Sequence, residues 1–312
     1  MERYGNKEFA TKKELFKFLT DNRDRLIAQK KAVKKEADCP VIIKPVIVAN
    51  QKQTASKAAG EGEMEPNLPE SLKVVCIINT TNFLDGHNDL HIPGLWTKSL
   101  QENRMIMHLQ EHEMEFEKII ADGDNLKAYV KKYKWSELGF AYEGETEALV
   151  FESEILRKRN EYMLEQYSNG WVRNHSVGMQ YVKMDFAINS EDYPNEYEAW
   201  KKYYPQIANK EVADQRGYFW YVLEAKCIEG SAVPLGSNTA TPTLAANKEM
   251  VTCPECGCEY DSADGECPEC GAVMEACKPK NQPVKTTDPK IEPSKKDTQN
   301  IDYSYLIKNL KN

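Results

Sequence analysis

Alternating and continuous apolar runs predict several strands in the middle of this chain, set between shorter stretches of helical spacing. Residues 72–80 (LKVVCIINT) read as a buried strand, and residues 40–49 (PVIIKPVIVA) as a second one, which Pro45 confines to an edge or splits. Residues 104–112 (RMIMHLQEH) alternate, which puts Ile106, His108, Gln110 and His112 on one face. Residues 148–152 form a short strand. In residues 171–189 (WVRNHSVGMQYVKMDFAIN), Ser176 and Gly178 share one parity while Val177, Met179 and Tyr181 share the other. Residues 218–235 read as a long strand, bulged at Gly230.

Helical spacing appears at residues 95–100, 125–139, 157–168 and 193–208, and the third of these stops at the Asn169-Gly170 cap pair. Near the amino end, Phe9, Leu15, Phe16, Phe18, Leu19 and Leu26 form an apolar stripe. It suits either an amphipathic helix lying on the main domain or a docking arm.

Composition divides the chain. Residues 1–50 form an amino-terminal helical arm with an edge strand, residues 51–70 (QKQTASKAAGEGEMEPNLPE) a linker, and residues 71–247 the main domain. A cysteine module follows at 250–277. The tail at 278–312 is expected to be disordered except for a short terminal helix around Tyr303 to Leu310. With 312 residues and 41% hydrophobic residues the chain can build a substantial core. A net charge of −8 argues against a nucleic-acid partner, and no run is apolar enough to span a membrane. Six of the nine cysteines fall between Cys253 and Cys277, unlike the spread of a disulfide framework.

Cys253-Pro-Glu-Cys256-Gly and Cys267-Pro-Glu-Cys270-Gly are two CPxCG knuckles. Each turn aims two thiolates at one point, so together they predict a tetrahedral four-cysteine zinc ribbon. Four protein ligands close such a site, which makes the zinc structural. The acidic residues around it favour docking to protein. His112-Glu113 begins like a zinc-protease HExxH helix, but Phe116 stands where the second imidazole is required, so that reading fails. Hydrolytic chemistry then needs a serine, a base and an orienting acid. Ser176 is the candidate nucleophile, with Ser231 as a rival. His112 and His108 compete as base, His87 and His91 sit in a turn-rich loop, and His175 is aimed away from Ser176 by strand alternation. Glu229, acidic among apolar neighbours, is the candidate acid.

Four blocks resemble the prohead proteases of tailed phages. They are the D-G-H-N-D-L-H-I-P-G-L-W-x-x-S-L pattern from Asp85 to Leu100, the strand ending in His112-Glu113, the stretch His175-Ser176-Val177-Gly178-Met179, and Glu229-Gly230-Ser231-Ala232-Val233-Pro234 with Asn238 beyond it. They lie in that family's order, although Glu113 and Met179 replace its usual Asp and Phe.

The resemblance implies an α+β fold with a small β-barrel wrapped by helices, like the herpesvirus capsid-assembly protease, with the zinc ribbon appended. It implies a serine endopeptidase with His112 as base, Ser176 as nucleophile and Glu229 as orienting acid. The scaffold and major capsid proteins would be its substrates. The expected place of action is the host cytoplasm, inside the procapsid, with self-association there and self-cleavage in the polar stretches 51–70 and 278–300. The alternative is a non-enzymatic assembly protein that uses the same fold as a scaffold.

Overall fold

The computed structural model describes residues 2–32, 68–103 and 105–247, together with 250–252, 255–256 and 259–261. The strand expected at 40–49, residues 51–67 of the linker and the tail lie outside the described residues. In chain order the elements are β1 (Glu2–Tyr4), β2 (Lys7–Phe9), α1 (Lys12–Asp21), α2 (Arg23–Ala32), β3 (Ser71–Thr80), β4 (Asp89–His91), α3 (Thr97–Glu102), β5 (Met107–Gln110), β6 (Ile119–Asp122), β7 (Leu126–Lys134) and β8 (Glu145–Leu156). They continue as α4 (Glu161–Ser168), β9 (His175–Ile188), α5 (Pro194–Tyr203), α6 (Lys210–Arg216), β10 (Tyr218–Ala232), β11 (Thr243–Asn247), β12 (Met250–Thr252) and β13 (Glu259–Asp261).

The fold is α+β, built mainly on two sheets. The first is organised by the long strand β10, which has β9 antiparallel along one edge. Along its other edge lie β4, parallel at the start, and β5, parallel at the end, with β6 beyond β5. The second sheet runs β11-β3-β8-β7, all antiparallel. No ladder among the described residues closes either sheet, so two open sheets stand where a barrel was expected.

Apolar alternation explains how the sheets meet. Val74, Cys76 and Ile78 of β3 and Leu149, Phe151 and Ile155 of β8 face Val177, Met179, Tyr181 and Ala232 across one core. The opposite parity of β3 and β8 (Ile77, Ala148 and Val150) packs on Trp135, Leu138 and Phe140. The outer side of β10 carries Phe219 against Trp200 and Tyr203 of α5. At Gly230, a Cβ would lie 2.5 Å from the Phe151 ring and 2.8 Å from Ile78, so only glycine lets the sheets approach that closely. Phe9, Leu15, Phe16, Leu19 and Leu26 join the main core, so the apolar stripe of the amino-terminal segment is spent inside this chain.

Several expectations about elements are corrected. Residues 126–134 form strand β7, not helix, because Tyr129 and Tyr133 pair with Val150 and Thr146 across the ladder. Helical periodicity in so short a window gave way to tertiary pairing. The helix expected at 157–168 starts only at Glu161, where Asn160 caps it by accepting the Met163 N–H at 3.0 Å. The irregularities of β10 fall around Val222 to Ala225 and between Cys227 and Glu229, and not at Gly230. The strand expected to reach His112 ends at Gln110. No described helix is long and apolar enough to cross a membrane.

Candidate active site

Three adjacent strands, β5, β10 and β9, build the site. Glu229 and Ser231 lie on β10, one pleat repeat apart, and so share a face. Across the antiparallel ladder Glu229 pairs with Gly178 and Ser231 with Ser176. Directly opposed residues project to the same side with Cβ atoms about 4.5–5.5 Å apart, so Ser176 stands beside Ser231 on the face that carries Glu229. On the other flank β5 runs parallel, with Met107 opposite Glu229 and Gln110 opposite Ala232.

His112 reaches this face through a turn. Glu113 donates its N–H to the Gln110 carbonyl (3.0 Å), and the two residues between them, Glu111 and His112, have φ of 53° and 63°. Positive φ at both central positions is the mark of a type I′ turn, and for non-glycine residues it costs on the order of 1–3 kcal/mol each. That turn breaks the alternation expected to keep His108 and His112 on one face. His108, opposite Gly230, points into the core, whereas His112 swings over Glu229.

There the geometry is specific. His112 Nδ1 lies 2.7 Å from Glu229 Oε1, and its backbone N–H donates to Ser231 Oγ at 3.1 Å. Ser231 in turn donates its hydroxyl hydrogen to Glu229 Oε2 at 2.6 Å. The carboxylate accepts from both, so the His112 proton sits on Nδ1 and the Nε2 lone pair is left available. Nε2 is buried and has no hydrogen-bond partner among the described residues, so its bond to Ser176 is not made in this geometry. The Glu229 side chain is wholly buried and that of His112 is 7% exposed, which strengthens their interaction.

Room for the carboxylate comes from Gly178: a Cβ there would stand 1.7 Å from Glu229 Oε1. Ser176 itself is 9% exposed and borders a pocket whose other wall includes Asp85, His87, Ser237 and Asn238. Ser237 donates to Asp85 Oδ2 (2.9 Å), which leaves its oxygen to accept from His87 Nδ1 at 3.1 Å.

The structure therefore brings Ser176, His112 and Glu229 to one face. It does not bring His108, which is fully buried behind the strand, or His175, which alternation turns into the core. Ser231, a rival nucleophile by sequence, is wholly buried and braces the His112–Glu229 pair through two hydrogen bonds. The roles of Gly178 and Ser231 were not read from sequence, since both depend on register. Their signal was the matching two-residue spacing of Ser176 to Gly178 and Glu229 to Ser231. Of the proposed zinc ligands, Cys253, Cys267 and Cys270 lie outside the described residues. Cys256 is exposed, in the segment between the paired strands β12 and β13.

Comparison of the chain with protein-family models, with curated proteins and with solved structures found no match in any of the three.

Proposed function

We propose that this chain is a serine endopeptidase of the prohead-protease type, which cuts scaffold and capsid proteins, and itself, as a procapsid matures. The observation that carries the reading is the His112–Glu229 pair on the strand face that holds Ser176. In the reaction Nε2 takes the Ser176 proton as Oγ attacks the scissile carbonyl. Glu229 holds the Nδ1–H tautomer and stabilises the imidazolium that forms. His112 then returns the proton to the leaving amine and activates water to hydrolyse the acyl-enzyme. The resemblance supplies the substrates and the capsid setting. The β12–β13 hairpin, which brackets the first CPxC turn, is compatible with a zinc ribbon held by Cys253, Cys256, Cys267 and Cys270.

A non-enzymatic assembly protein is the second reading, and the missing hydrogen bond between Ser176 and Nε2 favours it. Labelling with a fluorophosphonate, which reacts with activated serines, separates the two. The protease reading expects label on the Ser176 peptide, none in Ser176→Ala, and no cleavage of co-expressed capsid or scaffold protein by that variant. A folded wild type that neither labels nor cleaves would leave the assembly reading standing.

A further inference from the structure

Behind the candidate active site, in the core between the two sheets, four side chains with metal-ligating atoms converge from four separate elements. They are Cys76 of β3, His108 of β5, Tyr167 of α4 and His175 of β9, all of them buried. Cys76 Sγ and one ring nitrogen of each histidine lie within 4.8 Å of one another. The Tyr167 hydroxyl stands 2.9 Å from His175 Nε2, 3.2 Å from His108 Nε2 and 3.7 Å from Cys76 Sγ. From this arrangement we infer a second metal site, a closed four-coordinate zinc centre with Cys76, His108, Tyr167 and His175 as ligands.

Three features point to a metal. The first is spacing. Zinc held tetrahedrally at ordinary bond lengths spaces nitrogen and oxygen ligands about 3.3 Å apart and a sulfur about 3.5 Å from an oxygen. The tyrosine oxygen already has separations of that size, and side-chain shifts of about 1 Å or less would bring the remaining pairs in.

The second is the outer shell. A ligating histidine generally has its other ring nitrogen fixed by an oxygen, which settles the tautomer and aims the lone pair. His175 Nδ1 donates to the Thr241 carbonyl at 3.0 Å, leaving Nε2 as the lone pair. His108 Nδ1 lies 2.9 Å from Ser153 Oγ.

The third is charge. A divalent cation with one thiolate, one phenolate and two neutral imidazoles sums to zero, the form a dry core accepts at least cost. On binding, the Cys76 S–H and Tyr167 O–H bonds break, four metal–ligand bonds form (one to each of the four side chains), and two protons leave to solvent.

Such a centre would tie β3 of one sheet to β5 and β9 of the other. Those last two strands carry the residues next to the site: His175 precedes Ser176, and β5 leads into the His112 turn. The ligands are therefore expected to act on the site by position only.

The test uses the full chain with Cys253, Cys256, Cys258, Cys267, Cys270 and Cys277 all changed to serine, which silences the carboxy-terminal module and leaves the core untouched. Elemental analysis should find about one zinc per chain. Cobalt(II) exchanged for it should give tetrahedral visible bands and a thiolate charge-transfer band. Cys76→Ser in that background should lose the charge-transfer band, and Tyr167→Phe should bind roughly tenfold more weakly or worse. A folded six-serine chain that retains no zinc, iron or copper as purified and takes up no cobalt would overturn the proposal. The four side chains would then be a hydrogen-bonded cluster around Tyr167 only. Because the core is unaltered in the six-serine chain, misfolding of either ligand variant leaves that decision intact.

Discussion

Gly178→Ala places a methyl group where the Glu229 carboxylate now lies. The added Cβ would be 1.7 Å from Oε1, so the carboxylate must retreat by about 1.7 Å to reach ordinary van der Waals contact. Its bond to His112 Nδ1 is 2.7 Å long and cannot survive such a retreat. Overpacking a closed site costs about 1–3 kcal/mol, and the loss of a charge-assisted hydrogen bond about 1.5–3 kcal/mol more. Chemistry should suffer further, because an imidazole without its orienting carboxylate can take the wrong tautomer, a fault worth about 10⁴-fold in a serine protease triad. The expected result is a folded protein with a lower thermal midpoint and a fluorophosphonate labelling rate at Ser176 reduced by about 10²- to 10⁴-fold. Glu229→Gln is the companion variant, since it keeps the volume and removes the charge. A Gly178→Ala protein that labels Ser176 at the wild-type rate would show that Glu229 does not orient His112, and the triad would have to be abandoned.

Ser231→Ala removes both the donor to Glu229 Oε2 and the acceptor of the His112 N–H, so two hydrogen bonds at the base of the pair are lost. It should lower the unfolding free energy by about 1–3 kcal/mol and slow labelling about tenfold without abolishing it. Complete loss of label from a folded Ser231→Ala protein, with Ser176→Ala still labelled, would reverse the two serines. Asp89 is wholly buried and pairs with Lys30 of α2, while Tyr181 donates to its other oxygen at 2.7 Å. Asp89→Asn removes the carboxylate charge beside a mostly buried ammonium, so the urea midpoint should fall by the equivalent of about 3 kcal/mol, and Lys30→Met in the same background should recover part of that. An unchanged midpoint would mean that α2 is not fastened to the sheet by this pair.

Much of this molecule was legible from local pattern. Strand β3, the capped end of α4 at Asn169-Gly170 and the alternation through Ser176 follow from side-chain period and backbone propensity, which act over a few residues. Local pattern also marked Glu229 as an acid out of place among apolar neighbours, and His175 as turned away from Ser176. It misread residues 126–134, because a strand's partner is chosen across the sheet and not along the chain. It also placed His108 and His112 on one face. Only the fold shows that two consecutive positive-φ residues end β5 and carry His112 to the opposite side. Register decided the rest. Sequence lists Gly178 and Ser231 as a small residue and a hydroxyl. Pairing Gly178 with Glu229 and Ser176 with Ser231 makes one the space for a carboxylate and the other a brace. The same pairing sends His108 and His175, with Cys76 and Tyr167, into one buried cluster that no linear spacing foretold. Periodicity along one strand is a property of that strand's own residues, whereas the meeting of residues from four elements is fixed only when the sheets pack.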